Sequence, residues 1–210
     1  MLHNPVFDAI LKRYPEGHIY QGFGENPELY SKSTNGLIIA HNGIDIAMPE
    51  GTPILATAGI VCDVKNSPEG YGKHVRILTD PIDGIYYELT YGHLKDIFVP
   101  MGLKIPAGYT IGTMGNTGFV ISGSTPYWGN APTGRGVHLH FGVRECSIIP
   151  TAWLVTYTSG LKAYIKNYEN GLHGAIDPMP LINPIIEKMT ILLAIKKAVE
   201  NIMAILNKKW

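Results

Sequence analysis

Short apolar runs separated by turn-forming residues dominate the chain up to about residue 145. Gly, Pro, Asn and Asp lie between these runs, a pattern that indicates strands rather than helices. The runs predicted as strands are 37–40, 59–66, 72–80, 84–94, 108–115 and 136–145. Strands at such close spacing predict a mainly β fold, built as an antiparallel sheet or sandwich. Segment 116–135 interrupts the rhythm because it is long and rich in Gly and Pro, and it is predicted as a functional loop.

The two ends of the chain have a more helical pattern. Residues 5–14 predict a short helix, and beyond residue 150 the segment 151–183 predicts short helices at 151–157 and 161–169 before a proline-rich linker. Residues 184–210 predict an amphipathic helix. Its apolar face would cover the protein's own domain, a second copy of the chain through residues 185–206, or a membrane surface. No apolar run there approaches the ~20 residues that a transmembrane helix needs.

Composition narrows the classes of function. The 210 residues contain 17 Lys plus Arg and 17 Asp plus Glu, so the formal net charge is zero and avid nucleic-acid binding is not expected. Cys62 and Cys146 each lie in or beside an apolar run, which predicts two buried thiols rather than a disulfide. The N-terminal residues lack the pattern of a secretory signal, so we expect a cytoplasmic protein, another export route or a trimmed chain. The chain contains eight histidines but only two cysteines, so histidine is the more abundant potential metal ligand of the two.

Three segments carry histidines at spacings that suit metal chemistry. His41 and Asp45 lie four residues apart around a glycine that would permit a tight bend, and both are good Zn²⁺ ligands. His138 and His140 flank one leucine in a predicted strand, so both imidazoles should point to the same face. His93 ends another predicted strand.

Together these residues predict a catalytic metal centre. His41, Asp45 and one of His138 and His140 would leave an open fourth position, which is typical of catalytic rather than structural zinc sites. The residue types favour hydrolysis by activated water, although the same ligand types also suit Fe(II). The remaining imidazoles, including His93, would accept a proton from water and stabilise an oxyanion.

These motifs resemble those of the lysostaphin/LytM-type zinc metallopeptidases, which cut peptide bonds in bacterial peptidoglycan. The resemblance rests on the ordered segments 22–25, 41–61, 71–77, 91–94, 105–118 and 138–144. It implies a metallopeptidase domain over residues 1–150, with its core at 22–145 and a groove for the peptide.

The resemblance also assigns roles to individual residues. It implies one Zn²⁺ per chain, held by His41, Asp45 and His140. His138 is the implied general base, and His93 is implied to orient water and stabilise the oxyanion.

The sequence departs from this family between segments 105–118 and 138–144, where residues 119–137 form an insertion. Tyr127 and Trp128 in the insertion would line the groove as aromatic walls or serve as the loop's own packing anchors. Asn116 and Thr117, just before it, are weaker candidates for hydrogen bonds to the groove or substrate. The family divides between polyglycine bridges and stems or cross-links with a D-centre, and the sequence does not decide between them.

One reading competes with an active enzyme, and another adds a structural role to it. A catalytically silent LytM-like module that binds the wall or a partner is expected to lose ligands, whereas this chain keeps all five key groups. A wall-cutting protein without an evident signal would also fit a phage component, attached to a virion or released at lysis. Both the enzyme and the module would act at the bacterial cell wall.

The remaining polar residues receive structural predictions. His74 is predicted to face solvent or to pack, and His3, His18 and His173 lack ligand-like neighbours at useful spacing. Arg144 and Glu145 are predicted to form a local ion pair.

Overall fold

A computed structural model describes residues 19–123, 125–148, 154–158 and 161–182, with the backbone alone at 154–158 and 161. Antiparallel strands are the predominant secondary structure of this described chain, which also contains the helix α1 (Pro27–Ser33). The strands are β1 (Ile19–Gln21), β2 (Ile44–Ile46), β3 (Pro53–Ala56), β4 (Gly59–Ser67), β5 (Gly72–Thr79), β6 (Tyr86–Gly92), β7 (Leu94–Ile97), β8 (Lys104–Ile105), β9 (Tyr109–Met114), β10 (Val120–Ser122), β11 (Thr125–Tyr127), β12 (Leu139–Ser147), β13 (Leu154–Thr158), β14 (Leu161–Ile165) and β15 (Ala175–Ile176). The predicted mainly β, antiparallel fold is confirmed.

The strands of the described chain form two sheets and a hairpin. The larger sheet has the order β1-β2-β12-β6-β5-β4-β8, and β14 and β15 also pair with β12 while β13 pairs with β14. The smaller sheet has the order β3-β9-β7, and β10 and β11 form the hairpin.

Alternation along β12 separates the hydrophobic core from the chemistry. Leu139, Phe141 and Val143 are buried in the main apolar cluster, as expected for every second residue of a strand. His140 and Arg144 lie on the opposite face of the same strand. The large sheet therefore has an apolar face and a face that carries polar groups.

The core lies between the apolar face of the large sheet and the small sheet. Ile44, Leu89 and Phe141 from the large sheet join Ile54 and Ile111 from the small one in a single buried cluster. Burial of each such side chain stabilises the fold by about 1.5–3 kcal/mol relative to its exposure. Two sheets packed in this way make a β-sandwich, which holds the strands of the site in fixed positions.

The C-terminal part of the described chain corrects two predictions. The helices predicted at 151–157 and 161–169 are wrong, because β13 and β14 form an antiparallel pair there. β14 and β15 both extend the large sheet through β12, with Cys146 opposite Ile165 and Val143 opposite Ile176. The free edge of β12 supplies backbone partners, and the β-branched and aromatic residue types of these segments suit a strand.

The linker predicted within 176–184 is also partly incorporated in the fold. Ile182 is buried in the main cluster, and Met179 and Leu181 pack against it. The predicted boundary at residue 150 therefore does not divide the sheet, since residues up to 182 belong to the same domain. The helices predicted at 5–14 and 184–210, including the proposed self-association segment 185–206, lie outside the described residues.

Two further predictions of secondary structure need correction. Residues 37–40 are not a strand but a bend, and Leu37 is exposed. Among the described residues, no strand pairs with this segment. The insertion 119–137 is not wholly a loop, because it contains the β10–β11 hairpin, with Val120 opposite Tyr127.

The prediction for the two cysteines is confirmed, and the prediction of an ion pair is wrong. Cys62 and Cys146 are both buried and do not form a disulfide, as predicted. The ion pair between Arg144 and Glu145 is wrong, because neighbouring residues of a strand point to opposite faces. Arg144 Nη1 instead donates to Glu88 Oε1 at 2.9 Å, and Glu145 pairs with Lys166. Among the described residues, no helix is long and apolar enough to cross a membrane.

Candidate metal centre

Two neighbouring strands bring three potential metal ligands together. The register of β2 and β12 places Asp45 directly opposite His140, and His41 lies just before β2. His41 Nε2 lies 3.0 Å from His140 Nδ1 and 3.2 Å from Asp45 Oδ1, and His140 Nδ1 lies 3.1 Å from Asp45 Oδ1. All three residues are buried, so their three donor atoms form a compact triangle away from bulk water.

Gly43 lies between the two N-terminal ligands for a steric reason. A Cβ atom at this position would lie 2.6 Å from the Phe141 carbonyl oxygen and 2.7 Å from His140 Cε1. A side chain there would push the His140 ring out of the triangle. The glycine therefore permits close approach of β12, and the chain also bends at this residue, as the spacing suggested.

The protonation pattern of the triangle fits a bound cation. His41 Nδ1 donates to the Gly22 carbonyl at 2.9 Å, and because a carbonyl only accepts, His41 Nε2 is left with a lone pair. Three atoms converge here: this lone pair, a carboxylate oxygen of Asp45 and His140 Nδ1. A single proton cannot form hydrogen bonds with all three, whereas one cation can contact them all.

The dimensions of the triangle fit Zn²⁺. Ligands about 2.0–2.1 Å from a tetrahedral zinc ion lie roughly 3.3 Å from one another, close to the observed separations of 3.0–3.2 Å. His140 Nδ1 is the ring atom that faces the other two ligands. On the other side of the ring, Nε2 is buried without a hydrogen-bond partner among the described residues. His41, Asp45 and His140 thus fit the metal that the sequence predicts.

Burial and mutual contact shift the pKa values of the ligands in favour of metal binding. Burial alone would raise the pKa of Asp45, but His138, His140 and His41 together lower it well below its ordinary value. Burial lowers the pKa of His140 to about 4, against the opposing effect of Asp45. The carboxylate is therefore ionised and the His140 ring neutral near pH 7, which are the forms that bind a metal.

His93 and His138 lie beside the triangle and are held outside the strand ladders. His93 occupies the junction between β6 and β7 in the left-handed region, with φ of 60°, and its backbone N–H donates to the Tyr71 carbonyl at 2.8 Å. His138 immediately precedes β12, and its ring centroid lies 4.4 Å from that of His93. His138 Nε2 lies 3.6 Å from Asp45 Oδ2.

Backbone carbonyls fix the tautomers of these two imidazoles. His93 Nδ1 donates to the Thr117 carbonyl at 2.8 Å, and His138 Nδ1 donates to the Gly136 carbonyl at 2.8 Å. Each ring, when neutral, therefore carries its lone pair on Nε2. Burial, together with the nearby His138 and His140 rings, lowers the pKa of His93 well below its ordinary value.

Three tyrosines that the sequence reasoning missed surround the histidines. The Tyr30 ring stacks on His41 at 5.4 Å, the Tyr71 ring lies 4.9 Å from His140, and the Tyr20 ring meets His138 edge-on at 5.6 Å. The only signals in the sequence were the 12 tyrosines of the chain and the position of Tyr71 in a family-like segment.

Two of these tyrosines also make polar contacts at the site. Tyr20 OH donates to Asp45 Oδ2 at 3.5 Å, and partial burial and that carboxylate raise its pKa. Asn42 Nδ2 donates to Tyr71 OH at 2.6 Å, so this ring is held beside the triangle.

The site forms the floor of a cleft of about 560 Å³. One wall comes from α1 and the chain after it, including Leu29 and Ile38. The opposite wall comes from the start of the insertion, including Phe119, Val120 and Ile121. The predicted groove is therefore present, with the insertion as one of its walls.

The weaker substrate candidates lie away from the cleft surface. Tyr127 and Trp128 are not among the lining residues, and Trp128 packs on Phe119 with ring centroids 5.3 Å apart. Asn116 and Thr117 also lie outside the lining. The side-chain amide of Asn116 donates to carbonyls within the insertion, and the Thr117 carbonyl is the acceptor for His93.

The remaining described histidines have structural surroundings. His74 is buried and donates from Nδ1 to the Gly72 carbonyl at 2.9 Å. His173 stacks on Tyr168 at 5.0 Å. His3 and His18 lie outside the described residues.

A buried two-histidine, one-carboxylate triangle at the floor of a cleft, flanked by two further imidazoles, defines the class of LytM-type metallopeptidases. The model of peptidase family M23 matches residues 39–150, more than half of the chain, and the protein belongs to this family.

Comparison with individual proteins agrees with this assignment. The chain is 36% identical over 105 residues to the peptidoglycan DD-endopeptidase ShyA of Vibrio cholerae, and 34% identical over 104 residues to the DD-carboxypeptidase/endopeptidase Mpg of Neisseria meningitidis. Each alignment covers 50% of this chain and 20% of the relative, so the match spans about a fifth of the length of these relatives. The solved structure of LytU is 29% identical, covers 80% of this chain and 86% of that one, and has a TM-score of 0.51.

Proposed function

We propose that the protein is a zinc-dependent endopeptidase that hydrolyses peptide bonds in bacterial peptidoglycan, in the stem or in the cross-bridge. The observation that carries the proposal is the triangle of His41 Nε2, Asp45 Oδ1 and His140 Nδ1, with sides of 3.0–3.2 Å. Membership of family M23 and the printed activities of ShyA and Mpg support the choice of peptidoglycan. The same relatives support action at the cell wall.

His41, Asp45 and His140 would hold one Zn²⁺ per chain. When bound, zinc supplies a Lewis acid that acidifies water and polarises a carbonyl group. Asp45 stays ionised because the three neighbouring imidazoles lower its pKa, so its charge is available at neutral pH. Tyr20 OH contacts the other carboxylate oxygen at 3.5 Å.

His138 and His93, in their neutral forms, each present an Nε2 lone pair at the floor of the cleft. His138 Nε2 is the proposed general base, because its Nδ1 proton is committed to the Gly136 carbonyl and Nε2 lies beside the metal triangle, 3.6 Å from Asp45 Oδ2. His93 Nε2 also carries a lone pair, which suits it to accept a hydrogen bond from water and so orient it. Because the His93 pKa is lowered, a neutral, water-orienting role is favoured over charge stabilisation of an oxyanion.

The cleft lining favours an uncharged stretch of peptide. Its walls present Leu29 and Ile38 on one side and Val120 and Ile121 on the other. Its acidic groups are Asp45 and Glu69, and the described lining contains no lysine or arginine. A free C-terminal carboxylate would find no basic side chain there, which supports cleavage within a peptide rather than removal of its last residue.

Digestion of purified peptidoglycans tests this proposal directly. Sacculi with polyglycine bridges and sacculi with direct cross-links are incubated with the zinc-loaded protein, and released fragments are identified by mass spectrometry. Fragments that differ by cleavage of one defined peptide bond, absent with the His138→Ala variant, are the expected result. No release from either type of sacculus would reject the proposal and leave a silent binding module.

A further inference from the structure

Thr117 has a hydroxyl group whose contacts tie two strands together beside the site. Its Oγ1 accepts a hydrogen bond from the Lys73 backbone N–H at 2.9 Å and donates to the Leu94 carbonyl at 2.8 Å. Lys73 lies near the start of β5 and Leu94 begins β7. The side chain is buried, so its hydrogen bonds are protected from competition with water.

The backbone of Thr117 is confined by a close crossing of two loops. A Cβ atom at Gly118 would lie 2.2 Å from the Gly72 nitrogen, and one at Gly72 would lie 2.3 Å from the Thr117 carbonyl carbon. On the other side, Asn116 Nδ2 donates to the Arg135 carbonyl at 2.9 Å. The Thr117 peptide therefore has little freedom to rotate.

The confined Thr117 carbonyl is the acceptor for His93 Nδ1 at 2.8 Å. The two neutral tautomers of an imidazole are selected by the hydrogen bond that one nitrogen makes. His93 itself stands in the left-handed region, with φ of 60°, where the surroundings must hold a non-glycine residue in place. The orientation of this one carbonyl thus sets which nitrogen of His93 carries the proton.

We propose that Thr117 is a positioning residue, whose hydroxyl acts together with the loop crossing to fix the carbonyl that keeps His93 in the Nδ1–H tautomer with Nε2 unprotonated. The inference rests on the proposed function and extends it to a residue that does not touch the substrate. The single hydroxyl proton of Thr117 is committed to Leu94, so it is not available to a bound peptide.

The test compares Thr117→Val, which keeps the shape of the side chain, with Thr117→Ser, which keeps the hydroxyl. Both are made in the full-length, zinc-loaded protein. We expect the valine variant to lower kcat on cross-linked peptide fragments by about 10-fold, the low end of the range for outer partners of metal-ligating histidines, because the hydroxyl acts on His93 only through the carbonyl. KM and zinc content should stay at the wild-type values, and the serine variant should recover most of kcat.

A second measurement reports the tautomer without any turnover. Two-bond ¹H–¹⁵N correlation spectra of histidine-labelled protein identify the protonated nitrogen of His93, whose signals are assigned by their absence in His93→Gln. The wild type and Thr117→Ser should show protonated Nδ1, and Thr117→Val should show a mixture or protonated Nε2. If Thr117→Val does not fold, Thr117→Ala removes the same hydroxyl with less bulk.

The two measurements separate this inference from the proposed function. An unchanged His93 tautomer in the hydroxyl-free variant would overturn the positioning role, and so would an altered tautomer with wild-type kcat. A wild-type protein that cuts no peptidoglycan would reject the proposed function, and the spectra would still decide whether Thr117 sets the tautomer.

Discussion

The two halves of the site are held in place by different means. The metal triangle depends on strand pairing, because β2 and β12 place Asp45 opposite His140 in the ladder of the large sheet. His93 and His138 lie at the ends of strands, and the carbonyls of Thr117 and Gly136 orient their rings. One half is thus fixed by the sheet and the other by loop backbone.

This difference predicts different sensitivities to mutation. A slip of one residue in a strand register reverses every side chain, so the sheet specifies the metal triangle strongly. A carbonyl in a loop can turn after a single local change, so the His93 and His138 pair should respond to residues that never contact it. The insertion 119–137 is important here, since it contains Gly136 and begins two residues after Thr117.

The largest expected effect comes from removing a ligand of the metal triangle. His41→Ala should weaken zinc binding by more than about 100-fold, beyond the usual cost of losing only an outer hydrogen-bond partner. Activity should be lost with the metal. Zinc per chain is measured by inductively coupled plasma mass spectrometry after dialysis against a weak chelator.

The matched control for this variant is His173→Ala, which removes an imidazole stacked on Tyr168 outside the site. It should keep one zinc per chain. Full zinc stoichiometry in His41→Ala would show that the triangle is not the metal site.

The second effect separates the two halves of the site. His138→Ala should keep zinc at the wild-type stoichiometry but lower kcat by about 10²–10⁴-fold, the usual contribution of a general base. Zinc content and turnover are measured on the same preparation. Activity within a few-fold of the wild type would remove His138 from the role of base, and loss of zinc would show that the halves are not independent.

The third effect is an acid-dependent loss of stability in the zinc-free protein. The folded-state pKa values of Asp45, His93 and His140 are all lowered, so the folded protein binds fewer protons than the unfolded chain as pH falls. For His140 the loss of stability spans the pH range from its ordinary pKa of 6.5 down to about 4. For Asp45 the loss occurs below its ordinary pKa of 3.8. Stability should therefore decrease as pH falls from neutral through this range.

Thermal melts of the chelator-treated protein across this pH range measure the effect. His93→Gln should remove only part of the slope, because Asp45 and His140 remain. A slope that disappears entirely in His93→Gln would place the whole effect in the loop-held half, and a constant melting temperature in the wild type would contradict the lowered pKa values.

Spacing within each motif was enough to predict the local geometry of the candidate ligands. Strand alternation places His138 and His140 on one face, and the resemblance to a known family selected His140 as the ligand. The antiparallel fold was also predictable from closely spaced apolar runs. The spacing within each motif is local, whereas the pairing of β2 with β12, which joins the motifs, was implied only by the resemblance.

The parts that could not be predicted depend on distant contacts. Segments 154–158 and 161–165 are short apolar runs that suit either a helix or a strand, and the available edge of β12 decides for a strand. Tyr20, Tyr30 and Tyr71 reach the histidines only through packing. Thr117 was a weak candidate for hydrogen bonds to the groove or substrate, but its position at a crossing of loops directs it inward.

The smallest expected effect distinguishes the two faces of the insertion. Ile121 lines the cleft opposite the α1 wall, whereas Trp128 is 60% exposed and lies outside the lining. Ile121→Asn should raise KM severalfold without changing kcat or zinc content, because it places a polar group on an apolar wall that peptide would cover. Trp128→Ala should change both constants by less than about twofold, as expected for a surface substitution. Steady-state kinetics on cross-linked peptide fragments measure both variants, and a larger KM change for Trp128→Ala would mean that substrate binds along the outer face of the hairpin.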